Sequence, residues 1–381
     1  MSGPLDGLLV VELAGLGPAP FACMVLADLG AEVVRVDRVG APPIDPATAA
    51  YDVLSRNRPT IGVDLKSDDG REVVVALAAR ADAFVEGFRP GVAERLGLGP
   101  GELCAANERL VYGRMTGWGQ SGPSADRAGH DLTYASVAGA IAHIGRHGQP
   151  PTPPLNLVAD FGGGSMLLVA GILAALVERA ASGVGQVVDA AMVDGVSMLM
   201  APFFGAFSMD VFSGPRGTNM LDSGAPYYDC YRCSDGGYVA IGAIEPQFFA
   251  ELLVGLGLPS SWLDRQNDQA AWPELRDAIA SVIASRPRAE WTEHFGDTDA
   301  CVAPVLPLLE SATHPQIAAR STVIEVDGVP QHRPAPRFSR SASGDPRVGR
   351  SAVGDDAESL LTGHGVSSEV IGRARASGAL V

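Results

Sequence analysis

Leu8-Leu-Val-Val-Glu-Leu13-Ala-Gly15-Leu-Gly17-Pro-Ala-Pro20 opens the pattern that decides the fold class. Residues 8–13 are a short apolar run, Gly and Pro break it, residues 21–29 carry apolar side chains at helical spacing, and residues 32–36 are β-branched. Strand, loop, helix and strand in that order make a βαβ opening. The alternation continues with a helix over 72–81, strands over 83–86 and 110–115, a helix over 165–181 and a strand over 186–191. An α/β domain on a mostly parallel sheet follows. Residues 165–181 lack a polar face, which predicts burial in the core or against a second subunit. Residues 192–212 continue as an apolar, Met- and Phe-rich segment. After Gly224 the texture changes to a hairpin (227–233, the turn Ser234-Asp-Gly-Gly, 238–243) and amphipathic helices over 247–256, 272–285 and 289–295, so a smaller domain is expected there. Beyond about Arg320 the chain is richer in Pro, Ser and Arg and is expected to return to the first domain before a final short helix.

Composition narrows the function. The 381 residues are 46% hydrophobic and 19% charged, with 46 Gly and 28 Pro scattered rather than repeated, which suits a globular enzyme of two domains. A net charge of -16 argues against nucleic-acid binding and against attraction to an anionic membrane. An anionic ligand must therefore be held by local arginines. Lys66 is the single lysine, in a polar stretch that reads as a solvated turn, so Schiff-base chemistry is not expected. Five cysteines give no disulfide framework and fit a reducing compartment. The start Met-Ser-Gly-Pro-Leu-Asp shows no signal peptide, and the uncharged stretch 195–209 is shorter than the ~20 residues that span a bilayer. A cytoplasmic protein is expected.

Three patterns imitate familiar sites. Gly15-Leu-Gly17-Pro-Ala-Pro20 with Asp37 beyond resembles a dinucleotide fingerprint, but Pro20 replaces the third glycine and obstructs the pyrophosphate path. Cys230 and Cys233 form a C-x-x-C whose odd spacing puts the thiols on opposite faces of a strand, and no second pair completes a zinc site. His143 and His147 have i, i+4 spacing, yet Gly145, Gly148, Pro150 and Pro151 do not sustain a helix, so a surface loop is expected and no metal site.

Three segments look chemical. In Arg127-Ala-Gly-His130-Asp131-Leu-Thr-Tyr134 a His beside an acid suits a general base near neutral pH, although both could simply cap the following helix. In Leu155-Asn-Leu-Val-Ala-Asp160-Phe-Gly-Gly-Gly-Ser165 an acid precedes three glycines that would let a substrate approach the backbone, at the start of the longest apolar helix; a capping role for Asp160 is equally open. In Gly242-Ala-Ile-Glu245-Pro-Gln-Phe248, Glu245 stands where Ser, Asp or Asn would be the preferred cap.

Together with Val10-Val-Glu-Leu-Ala-Gly-Leu-Gly-Pro, Ala27-Asp-Leu-Gly-Ala-Glu-Val-Val-Arg-Val-Asp37, Glu86-Gly-Phe-Arg-Pro-Gly-Val92, Gly185-Gln-Val-Val-Asp-Ala-Ala-Met192 and Gly224-Ala-Pro-Tyr-Tyr228, these segments occur in one order along nearly the whole chain. In that order they resemble the α-methylacyl-CoA racemase branch of the family III CoA-transferase superfamily. The resemblance implies a Rossmann-like large domain (1–190 with 330–381), a linker (191–224), a smaller α+β domain (225–329), and an interlocked homodimer. It implies an acyl-CoA substrate with no other cofactor. Arg38, Arg56 and Arg89 would lie near the phosphates and adenosine, with Val63, Gly129, Asp131 and Tyr134 lining the rest of the site. His130, supported by Glu245, and Asp160 would be the two bases that interconvert 2-methylacyl-CoA epimers through an enolate. A transferase using Asp160 as nucleophile would share that Asp, but Gly-His130-Asp and Ile-Glu245-Pro belong to the racemase branch. A non-catalytic CoA-binding protein would tolerate loss of His130, Asp160 or Glu245, and all three are present.

Overall fold

The computed structural model describes residues 3–40, 49–212, 214–349 and 356–381. Residues 41–48, a Pro- and Ala-rich stretch before Arg56, lie outside the described residues. The chain forms two compact units. The first comprises Met1–Ala138, Leu155–Leu199 and Pro315–Val381, and the second Gly139–Pro154 with Met200–His314. Relative to the boundaries expected above, 139–154 and 200–224 group with the second unit, whereas 191–199 and 315–329 group with the first.

In the first unit β1 (Leu9–Leu13), β2 (Glu32–Asp37), β3 (Thr60–Gly62), β4 (Ala83–Glu86), β5 (Val111–Thr116) and β6 (Val187–Ala191) make one parallel sheet in the order β3-β2-β1-β4-β5-β6. Every residue of β1, β4 and β5 is buried, the near-continuous burial expected of a parallel sheet covered on both faces. The opening helix runs Pro18–Asp28, with Pro at its first position where a missing N–H costs nothing. Ser67 caps the helix Asp68–Ala78 by accepting from the Gly70 amide at 3.0 Å.

The C-terminal return is built as the sequence implied. Ala357, Leu361, Ile371 and Ala374 of the last two helices join the core formed by β1–β5 and the Asp68–Ala78 helix. Val381 and Gly62 exchange backbone hydrogen bonds, placing the last residues beside β3. The hairpin β7 (Val323–Val326) with β8 (Val329–His332) belongs to this unit.

Charges inside the sheet are paired. Arg58 meets Glu12 with both side chains fully buried, and burial pushes the Glu12 carboxyl up despite its partner. Arg114 Nε donates to Glu86 at 2.9 Å across β4 and β5, whose register places the two residues side by side.

Residues Leu157–Ser165 are π-helical, with the Met166 amide reaching Phe161 O, and run directly into the helix Met166–Ser182. The three glycines do not break the chain there, so among the described residues the helical stretch Leu157–Ser182, 26 residues, is longer than the uncharged 195–209 stretch weighed above. By length and composition alone it is long enough to cross a membrane, yet Leu168, Val169, Ile172 and Ala175 are buried within the unit.

Gly162–Gly164 were expected to admit substrate. Instead they admit the helix Met192–Leu199. A Cβ on Gly163 would stand 2.7 Å from the Val196 amide, and one on Gly164 would stand 2.8 Å from Met192 Cγ. A Cβ on Gly195 would collide with Gly163 O. Gly to Ala inside a helix ordinarily stabilises by ~1 kcal/mol. Here Gly195→Ala should instead destabilise by about 1–3 kcal/mol, the range for overpacking, and lower the thermal midpoint. An unchanged or raised midpoint would contradict the close helix crossing.

The second unit is α+β. Tyr228–Arg232, Tyr238–Gly242 and Val302–Val305 form an antiparallel three-stranded sheet over the helices Pro246–Leu256, Trp272–Ile283 and Arg288–Phe295. Tyr231, Val239, Ile241, Phe249, Leu275 and Trp291 form its core. Cys230 is exposed and Cys233 buried, as alternation requires. His143 differs from the surface loop expected. It ends a short turn and packs edge-on against Phe207 and Phe212, at 5.3 and 5.5 Å between centroids.

Candidate active site

The strand order reverses between β1 and β4, and ligands of open α/β sheets bind beyond the carboxyl ends of the strands at such a switch point. A cavity of about 500 Å³ opens there, lined by the Gly15–Ala19 turn after β1, the Gly87–Pro90 turn after β4 and the segment after β5. His130, Tyr134 and Asp160 all line it.

His130 occupies the N-cap position of the helix Asp131–Val137 in an extended conformation (φ -140°, ψ 171°). Its backbone N–H donates to Thr133 Oγ1 at 2.9 Å, so the backbone and Thr133 perform the capping and the imidazole stays exposed at the cavity. The neighbouring acid does not serve His130. Asp131 is buried, and its Oδ2 accepts from the amides of Ala159 at 2.6 Å and Asp160 at 2.8 Å.

Asp160 is half-buried in the π-helical segment, the kind of turn that often marks a functional position. Burial pushes its carboxyl up, and the negative charge of Asp131 adds to that. The hydrogen bond from Asn156 Nδ2 at 3.2 Å and the nearby His130 pull the other way. Its segment is anchored twice more, by Ser165 Oγ, which lies 2.8 Å from both Asp160 O and Pro18 O and shares its one hydroxyl proton between them, and by Phe161 stacked on Phe21 at 4.6 Å.

Tyr134 is buried and edge-packed on Trp118 at 4.8 Å. Burial raises its hydroxyl, the charge of Asp160 raises it further, and Arg89 opposes. Gly129 is required beside it, since a Cβ there would stand 2.5 Å from the Tyr134 ring.

A second cavity of about 610 Å³ lies at the carboxyl ends of β1, β2 and β3, and Phe88 lines both. Arg38, Val63 and Lys66 border it, whereas Arg89 and Arg127 border the first. Both cavities therefore carry cationic side chains in an acidic chain. Arg56 does not join them. Its guanidinium is buried against both Asp28 oxygens, Gln331 Oε1 at 3.0 Å and His332 O at 2.8 Å, leaving no face for a phosphate. Glu245 stands exposed at the start of the helix Pro246–Leu256 in the second unit.

Three residues here escaped the sequence reading. Asn156 could have been found from its i, i+4 spacing to Asp160, whereas nothing local distinguishes Arg127 or Lys66 from other surface cations.

The switch-point cavity, the histidine and carboxylate that line it, and the cleft beside it, where Arg38 and Lys66 stand with Asp37 and Asp64, define a class. Residues 5–353 match CoA-transferase family III, and the chain belongs to that family. It is similar to the alpha-methylacyl-CoA racemase of Mus musculus, 46% identical over 374 residues that cover 96% of this chain and 95% of that protein. The alpha-methylacyl-CoA racemase of Homo sapiens is 43% identical over 372 residues, with the same coverage of each chain. Among solved structures, a CAIB/BAIF family protein from Brucella suis superposes with a TM-score of 0.80 at 27% identity, over 96% of this chain and all of that one.

Proposed function

We propose that this protein is an isomerase that interconverts (R)- and (S)-2-methylacyl-CoA thioesters by 1,1-proton transfer through an enolate. The observation that carries the reading is one cavity lined by both an exposed imidazole and a carboxyl whose proton affinity is raised by burial, in a chain 43–46% identical to two racemases. His130 and Asp160 take opposite faces of the α-carbon. Removal of the α-proton by one and return of a proton by the other passes through a planar enolate, which keeps no memory of its face. The amide of Asp131, at the first helical position and without an intrahelical acceptor, would donate to the enolate oxygen. No cofactor is needed beyond the CoA carried by the substrate.

The adenosine end of CoA takes the cleft bordered by Arg38, Val63 and Lys66, and the thioester takes the cavity of His130 and Asp160, with Arg89 and Arg127 beside the phosphates. A dimer with the interlocked form of the family accounts for the exposed apolar positions Met166, Val177, Met198 and Leu199, which a second copy would cover.

The test is α-proton exchange in heavy water, using one epimer of a 2-methylacyl-CoA and no acceptor acid. Deuterium at C2 accompanied by epimerisation supports the reading. No exchange, with CoA transfer once a carboxylic acid is added, would overturn it and make Asp160 a nucleophile that forms an anhydride.

A further inference from the structure

Asp131 and its neighbour His130 are adjacent in sequence, yet the Asp131 side chain faces a segment almost thirty residues further on. Its Oδ2 takes the amide protons of Ala159 and Asp160, while its Oδ1 is buried without any hydrogen-bond partner. A buried carboxylate oxygen left unpaired is costly, and an asparagine in the same place could accept these amide protons without burying a negative charge. A charge retained under those conditions calls for a use. The amide proton Asp131 accepts is that of Asp160 itself, so one side chain ties the backbone of one base to the residue that follows the other.

We propose that Asp131 is the positioning residue of the proton-transfer pair: its buried carboxylate clamps the π-helical turn and sets both the place and the electrostatic surroundings of the Asp160 carboxyl relative to His130. The inference rests on the reading of Asp160 as a proton carrier. Close packing on the helix Met192–Leu199, the Phe161–Phe21 stack and the Ser165 hydroxyl hold the turn as well, and of these contacts Asp131 is the one that takes the Asp160 amide itself. The groups that face Asp160 are few. Asn156 donates to it, His130 and Asp131 begin the helix Asp131–Val137, and Tyr134 on that helix feels the charges of both Asp160 and Arg89. Gly17 approaches from the β1 turn and brings no charge. Among these Asp131 is the neighbour whose negative charge favours the protonated form of Asp160.

Two substitutions separate charge from reach. Asp131→Asn keeps the shape and removes the charge. With the epimer whose α-proton Asp160 removes, the acidic limb of kcat/KM should move to lower pH, because Asp160 then releases its proton more readily. The other epimer should show the same shift, because its reactive form differs only in which of His130 and Asp160 holds the one shared proton, and the ratio of the two forms does not change with pH. Asp131→Glu keeps the charge but displaces the clamped turn, and kcat should fall on the order of 100-fold with KM little changed, the effect of an ångström-scale misplacement. A purely structural residue would lower the thermal midpoint without moving either limb. The unaltered protein supplies a further readout, since the amides of Ala159 and Asp160 should exchange slowly with solvent deuterium. Limbs unmoved in Asp131→Asn, kcat unchanged in Asp131→Glu, or loop-like exchange of those two amides would each overturn the clamp. Asp160→Asn is measured alongside: if it is inactive while the Asp131 variants behave like the parent, only this inference falls, whereas if it still epimerises, the reading of Asp160 falls and takes this inference with it.

Discussion

Asp160→Asn will abolish epimerisation while leaving exchange of the α-proton from one epimer alone, and His130→Ala will do the same with the opposite epimer. Two bases on opposite faces require this asymmetry. Whichever group remains can remove the proton it faces, exchange it with solvent and return it to the same face, but cannot deliver one from the other side. Loss of a positioned acid or base costs about 10²–10⁴-fold, which is the fall expected in epimerisation for each variant. The native pH profile carries a related signature. Burial and the charge of Asp131 raise the Asp160 carboxyl above its ordinary value, so its limb should lie on the neutral side of where a free aspartate would put it. Where Asp160 is the base, the rate is lost as pH falls through that limb. The other epimer shares this profile, because its reactive form holds the same number of protons and differs only in which base carries the shared one. A variant that loses exchange from both epimers together would argue for a single base serving both faces.

Arg56→Leu will cost stability, and substrate affinity only through that loss. Arg56 joins Asp28 of the first helix to Gln331 and His332 of the hairpin near the C-terminus, with both ionic side chains nearly sealed from water. Its removal leaves Asp28 with Asn57 Nδ2 at 2.8 Å and the imidazole of His332, which burial and Arg56 itself hold below its ordinary pKa. A buried charge that loses its partner typically destabilises by about 3–5 kcal/mol. The thermal midpoint should drop by several degrees, while KM for acyl-CoA at a temperature where the variant is folded stays within about twofold of the parent. A raised KM with an unchanged midpoint would return Arg56 to the phosphates. Arg38→Ala is the contrasting case, because that side chain is exposed at the cleft and its loss should act on KM.

Local pattern was enough for most of the first unit's elements. The βαβ opening, the strands that became β4 to β6 and the helix before β6 all follow from periodicity and from Gly and Pro at the boundaries, because a covered parallel strand must be apolar throughout and a helix must repeat its apolar face. Spacing also placed Cys230 and Cys233 on opposite faces. Glycine was harder to read. Gly162, Gly163 and Gly164 looked like room for a substrate, but they make room for Gly195 and Val196 of a helix thirty residues on, and no local pattern records what a backbone will meet. The same holds for the cations. Arg38 and Arg56 look alike in sequence, and only the fold exposes one at a cleft and buries the other among acceptors from Asp28 and the 331–332 strand.

By itself, then, the sequence determined the fold class and the family resemblance, and through that resemblance it nominated His130 and Asp160 as bases, because each depends on residue type and order along the chain. The tertiary structure decided which carboxylate does what. Asp131, beside His130 in sequence and a natural partner for it, turns away to hold the amides of Ala159 and Asp160. Asp160 then stands half-buried at the cavity with its proton affinity raised. Burial, hydrogen-bond direction and the charge of a neighbour are properties of three-dimensional surroundings, and they separate two aspartates that the chain presents as equals.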